Sequence, residues 1–113
     1  MTNRSVDPAA LLHLATDIAL EAGAFVAERA SFVHESVETK SSATDMVTEV
    51  DRASEALIVK RILAARPSDA ILGEEGTDHE GTSGVRWVID PLDGTTNYLY
   101  GFPAYAVSIG VQV

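Results

Sequence analysis

Leu11, Leu14, Ala15, Ile18, Ala22, Phe25 and Val26 recur at helical spacing near the start of the chain, while Asp17, Glu21 and Glu28 fall mainly elsewhere. Side chains three and four residues apart share one face of a helix, so this is the pattern of an amphipathic packing helix. Asp7-Pro8 just upstream offers a capping carboxylate and a proline at the first helical position, where its missing N–H leaves no bond unmade. From Ser31 to Asp45 the pattern breaks, and Lys40-Ser41-Ser42-Ala43-Thr44-Asp45 is small and polar, as in an exposed loop. The spacing predicts a second helix from near Thr48, with Val50, Ala53, Leu57, Ile58, Ile62 and Ala65 as its apolar stripe. Asp51 would sit in its first turn and Lys60, Arg61 and Arg66 toward its end, where they suit the helix dipole, and Pro67 marks the stop.

Beyond Pro67 the period changes. Ala70-Ile71-Leu72 reads as a short buried strand running into Gly73-Glu74-Glu75-Gly76, and Val85 to Ile89 as a second strand ending at Asp90, with a glycine-rich acidic loop between them. Tyr105, Val107, Ile109, Val111 and Val113 alternate with Ala106, Ser108, Gly110 and Gln112, which predicts a last strand with one small-residue face. The order helix, helix, strand, strand, short helix, strand indicates a layered mixed fold. Both acidic clusters fall where strands end. The last strand stops at the chain terminus although Val111 and Val113 ought to be buried, so the domain reads as unfinished.

The 113 residues fit one domain or a piece of one. With 46% hydrophobic and 22% charged residues, the chain has the composition of a soluble globular protein. Asp7, His13, Thr16 and Asp17 interrupt the apolar residues of the amino-terminal segment, so no signal-peptide core or spanning segment is expected, and a cytoplasmic setting is. Seventeen acidic residues against 8 basic give a formal charge of −9, which repels nucleic acid and anionic membranes. It would repel a bare phosphate as well, so a phosphate-ester substrate would require intervening cations. The absence of cysteine excludes disulfides, thiolate catalysis and cysteine-ligated metals. His13, His34 and His79 form no ligand pattern.

Asp90-Pro91-Leu92-Asp93-Gly94-Thr95-Thr96 carries the chemistry. A hard cation such as Mg²⁺ takes oxygen ligands in octahedral geometry, commonly a few carboxylates completed by water and substrate phosphate. Pro91 restrains the turn, so Asp90, Asp93 and the Leu92 carbonyl could converge, and Gly94 permits close backbone approach. A short helix opening at Gly94-Thr95-Thr96 would offer unpaired amides to a phosphate. Neighbouring strands would bring Glu74-Glu75 alongside Asp90, and two metals roughly 3.5–4 Å apart could then clamp a phosphoryl group and acidify a bound water. The competing reading of the first segment is a turn or helix cap, and of Glu74-Glu75 a solvated loop pair. Their occurrence at two strand ends favours a site.

Two other acidic motifs fit poorly. An EF-hand needs acidic residues at alternate positions, whereas Pro91-Leu92 separates Asp90 from Asp93. The haloacid-dehalogenase motif Asp-x-Asp-Gly-Thr uses its first Asp as nucleophile, and that position is Pro91 here. Moving the nucleophile to Asp90 would point its side chain away on an extended strand, which argues against a covalent aspartyl-phosphate.

Trp87-Val88-Ile89-Asp90-Pro91-Leu92-Asp93-Gly94-Thr95-Thr96-Asn97-Tyr98, preceded by Gly73-Glu74-Glu75-Gly76, resembles the inositol monophosphatase family. The resemblance extends to Lys40, to Thr48-Glu49-Val50-Asp51, and to Phe102-Pro103 with Val107-Ser108-Ile109-Gly110. It implies an α+β fold, a layered αβαβα sandwich of the sugar phosphatase type, of which residues 1–113 form the amino-terminal metal- and phosphate-binding part. By that resemblance Glu74, Asp90 and the Leu92 carbonyl hold one Mg²⁺, and Asp90 and Asp93 contribute to a second. Thr95 and Asp51 orient or deprotonate the attacking water, so that with Glu74 they form the catalytic set. The Gly94 and Thr95 amides receive phosphate in a substrate site that also includes Glu74, Leu92 and Asp93. Glu75 is a neighbouring or third-metal carboxylate, and Lys40 belongs to a mobile loop closing over the site.

Thr96-Asn97-Tyr98 resembles the inositol-phosphate branch, which implies a phosphorylated polyol or sugar substrate, with inositol 1-phosphate favoured. Histidinol phosphate, fructose bisphosphate and nucleotide 3′-phosphates stay open, because the family's hydroxyl-reading residues lie farther along the chain. The resemblance also implies a homodimer and lithium sensitivity. Family members are much longer, so residues 1–113 alone are expected to be nearly inactive. The alternative of another class is a non-catalytic metal-binding interaction fragment whose exposed final strand pairs with another chain.

Overall fold

Asp7 opens the first helix as its position predicts: its Oδ1 accepts the Ala9 N–H at 3.0 Å and its carbonyl the Leu11 N–H at 3.0 Å. The structure is a computed structural model that describes residues 6–38 and 43–113. Its elements are α1 (Pro8–Glu38), α2 (Ala43–Ala65), β1 (Ala70–Gly73), β2 (Asp78–His79), β3 (Arg86–Asp93), α3 (Thr95–Leu99) and β4 (Ala106–Gln112). Helix α1 continues past Ser31, where the pattern predicts a break. Val33 follows Val26 by two helical turns and is buried with it, so one apolar face persists although its neighbours in sequence are polar.

Although no spanning segment is expected from the sequence, Pro8–Val33 is by length and composition alone long and apolar enough to cross a bilayer. Here, however, Leu11, Ala15, Ile18 and Ala22 pack into the same cluster as Ile71, Trp87 and Ile89 of the sheet, which is the part of a core helix.

Helix α2 starts at Ala43 rather than near Thr48, so Asp51 lies well inside it and not in its first turn. Its buried face is Val47, Val50, Asp51, Ser54, Glu55, Ile58 and Ile62, while Ala53 and Ala65 are exposed. The inward face is therefore rotated from the expected stripe toward three polar residues. The basic residues do not serve the helix end either: the last turn holds none, and Arg61 pairs with Glu21 of α1.

The four strands form one mixed sheet in the order β2-β1-β3-β4. β1 and β3 run parallel, with Gly73 opposite Ile89, and β3 and β4 run antiparallel. The short β2, in the segment expected to be a loop, pairs Asp78 and His79 with Leu72 and Ile71. Both long helices lie on one face of the sheet, over Ile71, Trp87 and Ile89, and the other face exposes Leu72 and Val88. Helix layer and sheet are two adjacent layers of the sandwich expected from the sequence. Each fully buried Ile in this core contributes about 1.5–3 kcal/mol. An exposed pair such as Arg61–Glu21 contributes about 0–1 kcal/mol, so apolar packing is what holds the helices on the sheet. Val111 is half-buried beside α1, whereas Val113, expected to be buried, is exposed because it lies past the last paired residue of β4.

One polar tie crosses the core. Asp69, buried between α2 and β1, accepts bonds from Arg66 at 2.7 and 3.1 Å, from Ser83 Oγ at 2.6 Å and from the Trp87 indole N–H at 2.9 Å. Burial opposes its ionisation, but these bonds and the Arg66 charge outweigh it and hold the carboxyl below the ordinary 3.8.

Candidate functional site

The carboxyl end of β3 departs from regular pairing where the chemistry was predicted. Asp90 faces Ser108 and Asp93 faces Ala106, so three steps along β3 match two along β4, and one residue is extra. In an unbroken strand, residues three apart point to opposite faces. The one-residue bulge restores Asp90 and Asp93 to the same side, while Pro91 and Leu92 turn into the core. Proline suits this position because a bulge leaves one residue outside the ladder, where no N–H is needed. The Leu92 N–H reaches Asp90 Oδ1 at 3.3 Å, a long bond that ties the first carboxylate to the turn.

Gly94 follows with φ 83° and ψ 41°, a left-handed conformation that glycine adopts without steric cost. A Cβ there would also lie 2.7 Å from the Ala104 carbonyl oxygen. Gly94 is the N-cap of α3 and offers no capping side chain, so no side chain accepts the first N–H groups of that short helix. The turn is anchored from below. Tyr98 is buried, donates to the Val26 carbonyl at 2.8 Å and meets the Tyr105 ring edge-on at 4.8 Å. Asn97 Nδ2 donates to the Ala104 carbonyl at 2.9 Å. Asn97 and Tyr98 thus have a positioning role that their use as substrate-branch markers did not suggest.

The parallel register sets Gly73 opposite Ile89, so Glu74 and Asp90 each follow directly on the last pair of that ladder. The acidic turn after β1 closes through the Gly73 N–H and the Thr77 carbonyl at 2.8 Å. Beneath it lies a residue that the sequence reading missed. Glu55, 4% exposed, accepts the Glu75 N–H at 2.9 Å, the Thr77 N–H at 3.1 Å and the Thr77 hydroxyl at 2.5 Å. Its neighbour Ser54 donates to the Pro91 carbonyl at 2.9 Å. Consecutive residues of α2 therefore hold both acidic strand ends.

Asp51 lies one turn earlier on that helix face and is 8% exposed. Burial, and then the negative charges of Glu75, Asp90, Glu55 and Glu74, push its pKa from the ordinary 3.8 up to about 7. Carboxylates from α2, from the β1 turn and from β3 thus share one end of the sheet. Asp93 and Thr95 are exposed, at the last residue of β3 and the first of α3. As the side chains stand, no three His, Asp or Glu among the described residues close around a single point tightly enough to hold an ion. The donor set nevertheless fits a hard divalent cation: it is all oxygen, and its crowded negative charge is what such a cation would neutralise. Lys40, predicted to close over the site, lies outside the described residues. A cleft of about 200 Å³ lined by Thr44, Val47, Thr95, Thr96 and Leu99 opens next to α3, whereas a cavity of about 340 Å³ between α1 and α2 includes none of the predicted site residues.

Ser54 and Glu55 had a signal in the sequence. They stand three and four residues after Asp51, in the helical phase of Val47, Val50, Ile58 and Ile62. Polar residues in core phase mark a place where something other than apolar packing is being held.

The sequence model of the inositol monophosphatase family matches residues 7–113. The chain is 46% identical to an inositol-1-monophosphatase of Mycobacterium bovis, in an alignment covering 100% of the chain and 44% of that protein. It is 42% identical to a protein of Vibrio cholerae named Nus factor SuhB, over 90% of the chain and 39% of that protein. Among solved structures, Mycobacterium tuberculosis SuhB superposes with a TM-score of 0.75 at 47% identity, covering 95% of the chain and 37% of its own. The chain spans less than half the length of the relatives it matches.

Proposed function

The chain belongs to the inositol monophosphatase family, and from that premise we propose that it carries the metal- and phosphate-binding part of a Mg²⁺-dependent phosphomonoesterase acting on an inositol phosphate. The observation that carries this reading is the convergence of Asp51, Glu74 and Asp90, from one helix and two adjacent strand ends, on one end of the sheet. Glu74, Asp90 and the Leu92 carbonyl would hold one Mg²⁺, and Asp90 with Asp93 a second. Bound there, Mg²⁺ supplies charge neutralisation for the phosphoryl oxygens and acidifies a nearby water. Burial and the neighbouring carboxylates raise the Asp51 pKa to about 7 in the metal-free chain; with Mg²⁺ neutralising those charges Asp51 would be ionised and would accept the proton of the water, which the Thr95 hydroxyl would orient. The Gly94 and Thr95 amides would receive the phosphate, with Glu75 as a further carboxylate at the rim. Lys40, outside the described residues, would close over the site.

A soluble cytoplasmic homodimer, sensitive to lithium, belongs to the same reading, as does near inactivity of residues 1–113 in isolation. Rates of phosphate release by the product of the complete coding sequence on inositol 1-phosphate, histidinol phosphate, fructose 1,6-bisphosphate and 3′-phosphoadenosine 5′-phosphate test it. Inositol 1-phosphate should be fastest, and a preference for any other ester would reject the substrate.

A second reading is a metal-binding interaction fragment without turnover. It draws on β4, which is an edge strand of the sheet, and on the relative named Nus factor SuhB. Mg²⁺ binding with no hydrolysis of any of the four esters would favour it.

A further inference from the structure

Glu55 is a carboxylate buried to 4% exposure beneath a turn that already carries two others. Burying a charge is expensive, and a third negative group adds repulsion to the two already on the turn, so the cost must be offset by donors aimed at it. Glu55 has those donors. Oε1 takes the Glu75 N–H, and Oε2 takes both the N–H and the hydroxyl of Thr77. The bond to the Glu75 N–H fixes the peptide joining Glu74 to Glu75, and so the direction in which Glu74 leaves the turn. Gly73 makes the approach possible, since a Cβ there would stand 2.6 Å from Glu55 Cδ and Oε1 and 2.7 Å from Oε2. Gly73 has no positive φ, so room for this carboxylate is the steric demand on its lack of a side chain.

We propose that Glu55 is a positioning residue which, through the Glu75 and Thr77 amides, holds Glu74 in register with Asp90 and thereby sets the divalent-cation affinity of the site. Ser54 performs the matching task on the Pro91 carbonyl, so that α2 fixes the spacing between the two acidic strand ends. This rests on the reading of Glu74 and Asp90 as cation ligands. Groups that orient ligands without touching the metal typically affect affinity by roughly 10- to 100-fold.

Two variants separate position from charge. Glu55→Gln keeps the shape but sets an NH₂ donor against N–H or O–H donors, and it also removes a charge. Gly73→Ala keeps every charge, and the atoms nearest its added Cβ are those of the Glu55 carboxylate. Amide hydrogen exchange at Glu75 and Thr77 in metal-free protein, and Mg²⁺ affinity by calorimetry, are measured on the parent and both variants. Both variants should exchange at least about 10-fold faster at those two amides, with the Trp87 indole unchanged, and bind Mg²⁺ about 10-fold or more weakly. Weakened binding in Glu55→Gln alone would show that Glu55 acts through charge and overturn the positioning role. So would unchanged affinity in both variants, or unchanged exchange at Glu75. A parent that binds no Mg²⁺ would instead overturn the cation reading itself, and this role with it.

Discussion

Replacing Asp51 by Asn should make the protein's stability less dependent on pH. Asp51 has its pKa raised from 3.8 to about 7 by burial and by the charges of Glu75, Asp90, Glu55 and Glu74. Between these two values the folded chain holds the Asp51 proton while the unfolded chain has released it, so stability falls as pH rises through that window and levels off above it. The full displacement at about 1.36 kcal/mol per pH unit would be about 4 kcal/mol. Part of this window lies below about pH 5, and Glu74 and Glu75 are open to solvent and salt, which leaves about 1–2 kcal/mol between about pH 5 and about pH 8. Urea denaturation in the presence of a chelator, at these two pH values, gives the quantity directly. The parent should lose about 1–2 kcal/mol more than Asp51→Asn on going to the higher pH. Saturating Mg²⁺ should shrink the difference, because a bound cation favours the ionised carboxylates. Equal losses in both proteins would mean that Asp51 is not held among these charges, and its assignment as a proton acceptor would fall.

Asp69 shows the opposite sign. Its folded pKa is depressed, so its contribution is present above 3.8 and lost as pH falls below that value. Asp69→Asn should cost about 2–3 kcal/mol at neutral pH by urea denaturation and should flatten the acid limb of the stability curve. Gly94→Ala meets both a left-handed φ and the Ala104 carbonyl, and it should cost about 1–2 kcal/mol or more in thermal denaturation. A neutral result there would contradict the turn geometry.

Much of this was legible in the residues. The capping position of Asp7, the alternation of β4 and the placing of Glu74-Glu75 after β1 follow from period and turn chemistry, which act locally, whereas β3, expected to end at Asp90, runs on to Asp93. The phase of α2 was harder to read. Hydrophobic periodicity reveals an inward face only where that face is apolar, and here Asp51, Ser54 and Glu55 occupy it. The apolar residues beside them, Ala53 and Leu57, drew the expected stripe away from its true orientation. The bulge at Pro91-Leu92 was also hidden, because an extra residue in one strand is defined by the register of its partner β4. Asp69 could not be recognised from sequence either, since its partners Arg66, Ser83 and Trp87 meet only once α2 and β3 are packed.

The central claim is that the two acidic strand ends bind the Mg²⁺ of a phosphate-ester hydrolase. Its most direct test is Mg²⁺-dependent release of phosphate from inositol 1-phosphate by the product of the complete coding sequence, with and without Asp90→Asn. Release should require Mg²⁺, and Asp90→Asn should lower it by more than about a hundredfold while far-UV circular dichroism stays unchanged. Hydrolysis that proceeds equally in a chelator, or that survives Asp90→Asn at saturating Mg²⁺, would contradict the account.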